Sequence, residues 1–157
     1  MNLIRKKLDF LLLLLLVTIL AGIPFAIRAY DREARQGNVP SGAKEFTLTG
    51  NALRGWMEGD VHAYEALSFW LEKRPPVERP VLEVSKGDVV VLRLRSSDVV
   101  HGFSLKDFGV FVDDGIQPGK TVTVSFRADR VGTFTFSCNA ICGDNHQNMQ
   151  GTLVVRA

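Results

Sequence analysis

Eighteen consecutive residues, Phe10 to Ile27, carry no charge and include six leucines in a row, Leu11 to Leu16. So apolar a stretch satisfies its backbone in lipid as a helix, and at about 1.5 Å per residue it spans roughly 27 Å, close to the ~30 Å hydrocarbon layer. Arg5, Lys6 and Lys7 precede it. Basic residues stay on the cytoplasmic side, so the remainder of the chain is expected outside. Arg28, Arg32 and Arg35 follow the run and temper that bias. A cleaved signal peptide is the competing reading, and it requires small residues at two positions before the cut. Neither Ala26-Ile27-Arg28 nor Ile27-Arg28-Ala29 provides them, and Leu20-Ala21-Gly22-Ile23 has Ile where a lipoprotein would have its lipidated Cys. The expectation is a retained single-pass anchor over residues 1–29, a polar linker over 30–44 and an exported domain over 45–157.

Charge and cysteine content narrow what the exported part does. From Phe10 onward there are 16 basic and 16 acidic residues. Nucleic-acid recognition needs a concentrated basic face, so no nucleic-acid partner is expected. With 46% hydrophobic residues the chain is not disordered, and with two cysteines in all it is not a disulfide-stapled mini-protein.

The pattern after the linker is β. Residues 45–49, 81–83, 89–95, 121–126, 133–137 and 152–155 read as strands, separated by turn signals at 85–88, 117–120 and 129–132. Short strands at this spacing imply a sandwich or barrel. One interruption is expected: Val61, Tyr64, Leu67 and Leu71 recur at helical spacing between Asp60, a candidate cap, and the stop at Pro75-Pro76. His62 and Trp70 on that segment, and Trp56 before it, read as surface or packing residues.

Chemistry concentrates near the C-terminus. Cys138, Cys142, His146 and Met149 fall within 12 residues, and His101 lies 37 residues upstream of Cys138, just after a strand. Thiolate, imidazole and thioether suit copper, and the Met argues against Mg, Ca or structural zinc. Two other readings are open. A Cys138–Cys142 disulfide would close a very short, strained loop and leave His146 and Met149 unexplained. A zinc site of two thiolates and two imidazoles would leave Met149 idle and lacks the usual spacing. Among copper sites, a mononuclear blue-copper centre uses two His, one Cys and a weak Met, which leaves one thiolate over. Two coppers bridged by both sulfurs would use the whole set.

The segment Cys-x3-Cys-x3-His-x2-Met, with Asp98-Val99-Val100-His101-Gly102-Phe103 upstream, resembles the dinuclear copper A domain of cytochrome oxidase subunit II and nitrous oxide reductase. The single-anchor subunit II of heme ba-type oxidases is similar in layout. The resemblance runs from about Val81 to Ala157, and segment 45–80 shares little of it. It implies an all-β, cupredoxin-like Greek-key β-sandwich on one N-terminal transmembrane helix. It also implies a dinuclear copper centre of two Cu ions, with His101, Cys138, Cys142, His146 and Met149 as side-chain ligands and Ala140 as a backbone carbonyl ligand. Ala140 offers no carboxylate for the magnesium ion that a glutamate helps bind at this position in many oxidases. The function implied is one-electron transfer in the cell membrane, with the copper domain on the outer side. Electrons would arrive from a cytochrome c or small copper protein and pass to a heme-bearing oxidase subunit I. A free-standing anchored carrier and a copper-delivery protein are the alternatives. Asp98, three residues before His101, is expected to steady that imidazole or its loop. The residues flanking the ligands carry few charges apart from Asp144, so the donor would dock on a largely uncharged face, with Phe103 or Trp56 as candidate apolar contacts.

Overall fold

The structure is a computed structural model that describes residues 2–35, 39–61, 76–143 and 145–157. It divides into two compact units, Met1–Asn38 and Val39–Ala157. The first is helix α1, Asn2–Arg35. Its stretch Lys6–Ile27 is long and apolar enough to cross a membrane, and the leucines along it are exposed. The helix continues six residues into the expected linker. Tyr30–Arg35 contains neither Gly nor Pro and consists mainly of good helix formers, so nothing local stops it.

The second unit is a sandwich of two sheets. One has the strand order β2-β1-β4-β7, built from β1 (Lys44–Asn51), β2 (Gly55–Glu58), β4 (Val89–Ser96) and β7 (Thr121–Arg127). The other has the order β3-β9-β8-β5-β6, built from β3 (Val81–Ser85), β5 (His101–Leu105), β6 (Val110–Ile116), β8 (Gly132–Ser137) and β9 (Gln150–Arg156). β1 runs parallel to β4 and β3 parallel to β9, while the other pairs are antiparallel. The helix expected over 60–74 lies outside the described residues, apart from Asp60 and Val61, as do His62 and Trp70.

Alternation decides which face is core. Leu82 and Val84 of β3 and Leu153 and Val155 of β9 point inward, flanked by more exposed residues. Val90, Leu92 and Leu94 do the same on β4, whose outward Arg93 and Arg95 pair with Glu45 and Asp60. Trp56, Phe103 and Phe136 form an aromatic column through the core, each neighbouring pair of rings 5.6 Å apart. Trp56 and Phe103 are fully buried, so neither serves the docking role proposed for them from sequence. Their apolar area is committed to joining the two sheets.

Three strands, β2, β5 and β6, have no clear sequence signal. β5 is buried at all five positions and so shows no alternation. β6 contains Asp113, Asp114 and Gly115, which read as a turn. In the fold these residues form an irregularity opposite Gly102: His101 pairs with Ile116 but Phe103 with Val112. His101 is therefore the first residue of a strand, not a member of a free loop.

Leu92 is 1% exposed at the centre of the core. Leu92→Ala is expected to destabilise the β unit by about 2–5 kcal/mol, read from urea unfolding of residues 39–157. A cost below about 1 kcal/mol would show a core too loosely packed to hold this end of the sandwich rigid.

Candidate metal centre

Strand pairing brings the distant parts of the cluster together. β8 and β9 pair up to Ser137–Gln150, so Cys138 to Met149 is the connection between two adjacent strands. Main-chain bonds tie it down. The Cys138 N–H donates to the Met149 carbonyl (3.0 Å), Met149 N–H to His146 (3.2 Å), and His146 N–H to Gly143 (3.1 Å). β5 lies beside β8, with Ser104 paired to Ser137, and its first residue, His101, stands at the same end of the sandwich.

The result is a buried cluster of soft ligand atoms. A ring nitrogen of His101 and the Sγ atoms of Cys138 and Cys142 all lie within 4.8 Å of one another. The two sulfurs are 3.6 Å apart and both cysteines are free thiols, so the disulfide reading is not the state seen here. Cys142 Sγ lies 3.2 Å from Met149 Sδ and 3.7 Å from His146 Nδ1. The Ala140 carbonyl is 3.2 Å from Cys138 Sγ. All six residues expected at the site thus adjoin one continuous constellation. His101 and Met149 are fully buried, and His146 is half-buried.

His101 is held from behind. Its Nε2–H donates to Asp98 Oδ1 at 2.8 Å. Asp98 in turn accepts the Val99 N–H at Oδ1 and the Ala52 N–H at Oδ2, both at 2.7 Å. His101 Nδ1 is buried and has no hydrogen-bond partner among the described residues. A buried nitrogen left unpaired beside two thiols, with its ring fixed by a carboxylate on the other nitrogen, matches the arrangement of a metal-ligating histidine.

Sequence reasoning missed what forms the rear wall. A Cβ on Gly50 of β1 would lie 2.8 Å from His101 Cδ2, so the imidazole rests on bare backbone. Gly102 is constrained on the other side. A Cβ there would meet the Ala140 nitrogen at 2.9 Å, and the Gly102 N–H reaches Cys138 Sγ at 3.3 Å. No local pattern marks Gly50 or Ala52, because they approach the site only through the β1–β4 pairing.

The ionisable groups divide charge unevenly. Burial raises the Asp98 carboxyl, but the bonds from His101, Ala52 and Val99 outweigh it and hold Asp98 below its ordinary range. Burial works against the His101 cation, yet Asp98 and the Cys138 thiolate raise it to about 9. Burial likewise opposes the Cys138 thiolate, but the adjacent His101 imidazole and the backbone at Ala140 and Gly102 bring it down to about 6. Burial and the adjacent Cys138 thiolate push Cys142 up to about 12. Two adjacent thiolates require positive charge, and a soft cation supplies it better than a proton on either sulfur. The residues present therefore fit a copper site.

Asp98→Ala should weaken copper retention about 10- to 100-fold in competition with a chelator and shift the visible spectrum of the loaded protein. An unchanged spectrum and affinity would remove Asp98 from the site.

A profile of the family "Cytochrome C oxidase subunit II, periplasmic domain" matches residues 74–157. Cytochrome c oxidase subunit 2 of Thermus thermophilus is 39% identical over 75 residues, which is 48% of this chain and 54% of the relative. The match thus spans about half the length of that curated relative. The periplasmic domain of subunit II of cytochrome oxidase (CoxB) of Bradyrhizobium japonicum superposes with a TM-score of 0.52 at 21% identity, over 74% of this chain and 86% of that one. A chain of a heme-copper terminal oxidase dimer gives a TM-score of 0.53 at 19% identity, over 97% of this chain and 99% of the other. These two likenesses speak to the fold, which is cupredoxin-like. With more than half of its residues inside the family profile, and with the sandwich and sulfur-rich site described above, the chain belongs to the family of the cytochrome c oxidase subunit II periplasmic domain.

Proposed function

We propose that the chain is the electron-receiving subunit II of a heme-copper terminal oxidase, anchored in the cell membrane by α1 with its copper domain on the outer side. The centre would be a dinuclear copper A site held by His101, Cys138, Cys142, His146, Met149 and the Ala140 carbonyl. The observation that carries this reading is the pair of buried thiols 3.6 Å apart, with His101 beside the cluster on one strand and His146 and Met149 close to Cys142. A mononuclear site would leave one of these sulfurs unused in the interior. Copper bound there supplies a one-electron couple shared between two ions.

The chain's own residues supply the rest. Cys138 and Cys142 would supply two thiolates to the copper, and His101 and His146 one imidazole nitrogen each. Met149, fully buried, would act as a weak further ligand that adjusts potential more than retention. Ligands held at the start of β5 and by main-chain bonds within the β8–β9 connection would change position little when charge changes, which would keep reorganisation small. The donor would be a cytochrome c or small copper protein, and the acceptor a heme in oxidase subunit I. Ile141, between the two cysteines, is 93% exposed, and Val99 and Val100 beside His101 are also exposed. They replace Phe103 and Trp56 as the apolar contacts available to a donor.

Copper-loaded protein is expected to contain two coppers per chain, to be purple, and to show one unpaired electron shared over two copper nuclei by electron paramagnetic resonance. Cys138→Ser or Cys142→Ser should abolish that signal, whereas Met149→Leu should keep copper but shift the potential. A stable single-copper spectrum, or preferential zinc retention, would refute the dinuclear reading. Readily exchangeable copper would favour a delivery protein. Purification from native membranes should recover a heme-bearing subunit, and its absence would favour a free-standing carrier.

Donor docking on a face of this kind should also respond weakly to salt. Charges are balanced beyond Phe10, and steering by separated charges is screened over about 10 Å at 0.1 M salt. Stopped-flow rates with the natural donor should change little from low to high ionic strength. A steep fall would show that charges scattered in sequence gather into a patch.

A further inference from the structure

The hairpin β1–β2 lies outside the stretch matched by the family profile, yet it touches the site from three directions. Gly50 leaves the space that the His101 ring occupies: a Cβ there would lie 2.8 Å from Cδ2, 3.1 Å from Cγ and 3.2 Å from Trp56 Cζ3. The ring cannot retreat cheaply, since His101 is fully buried and bonded to Asp98. Asn51, itself 4% exposed, folds the turn that follows. Its Oδ1 accepts the N–H groups of Leu53 and Arg54 at 3.0 Å each, and its Nδ2 donates to Ser97 Oγ at 3.0 Å. The Ser97 N–H donates to the Gly50 carbonyl, also at 3.0 Å. This double tie sets the β1–β2 turn against the segment that carries Asp98 and aims the Ala52 N–H at Asp98 Oδ2. On the far side, Asn145 Nδ2 donates to the Leu53 carbonyl at 3.2 Å, joining the same turn to the connection that holds the cysteines.

We propose that the β1–β2 hairpin is the positioning element for the His101 arm of the site. Gly50 seats the imidazole, and Asn51 acts through the Ala52–Asp98 bond that fixes its orientation. Both are positioning residues, since neither reaches the metal-facing atoms. The inference rests on the copper reading above for one of its two tests only.

The first test needs no metal. In the metal-free full chain in detergent, the His101 ring N–H bonded to Asp98 should be visible by NMR and slow to exchange with water. Asn51→Ala and Gly50→Ala should each speed that exchange about 10-fold or more, while Leu92→Ala, which lowers stability without touching the hairpin, should not. The second test is chelator competition on the copper-loaded chain. Each hairpin variant should weaken copper about 10- to 100-fold, the range for losing a partner behind a metal ligand. In an Asp98→Ala background, Asn51→Ala should add less than about twofold, because its route is already cut. Folded variants with unchanged exchange and unchanged copper affinity would overturn the proposal. So would an Asn51→Ala effect that persists in full without Asp98. Should Gly50→Ala fail to fold, Asn51→Ala decides by itself. A wild-type chain that takes up no copper would refute the functional reading, and the ring-proton exchange would still decide this one.

Discussion

Two thiol sulfurs 3.6 Å apart in a buried pocket cannot both ionise without positive charge between them. The surrounding part of the Val39–Ala157 unit is built around that constraint. Cys138 is drawn down to about 6 by its hydrogen bonds, and Cys142 is driven up to about 12 by burial and by its neighbour. A soft cation between the sulfurs would relieve their repulsion. The closure of the connection by the Cys138–Met149 main-chain bond, and the packing of Gly102 against Ala140, hold them in place.

Rigidity at this end of the sandwich is layered. The aromatic column of Trp56, Phe103 and Phe136 fixes the sheets relative to each other directly behind the site. His101 opens β5 and is gripped by Asp98 on one nitrogen, which leaves the other directed to the cluster. The Asp98 carboxylate is held by two backbone N–H groups from different segments. Each layer removes a freedom that the candidate ligand side chains would otherwise keep.

Much of the fold was legible because sandwich strands alternate. β3, β4 and β9 stand out by their inward Val and Leu residues, and turns at 85–88 and 117–120 separate the strands as the sequence suggests. β5 escaped notice because it is buried at every position, and β6 because Asp113 to Gly115 form a strand irregularity that looks like a turn. The cluster of candidate ligands was legible for a different reason. Five of its six members fall in one short connection, where spacing along the chain corresponds to spacing in space.

Three things were readable from the chain alone: a helix long and apolar enough for a membrane, a β unit after it, and a cluster of Cys, His and Met side chains spaced as candidate metal ligands. These depend on composition and local period, which short stretches carry on their own. The tertiary structure decided that Trp56 and Phe103 are core rather than docking surface, and that Ile141, Val99 and Val100 face outward instead. It also decided that Gly50 and Ala52 stand behind His101. The place of Gly50 and Ala52 depends on pairing between strands about 45 residues apart in sequence, β1 with β4, and no local pattern encodes which backbone will lie against which side chain.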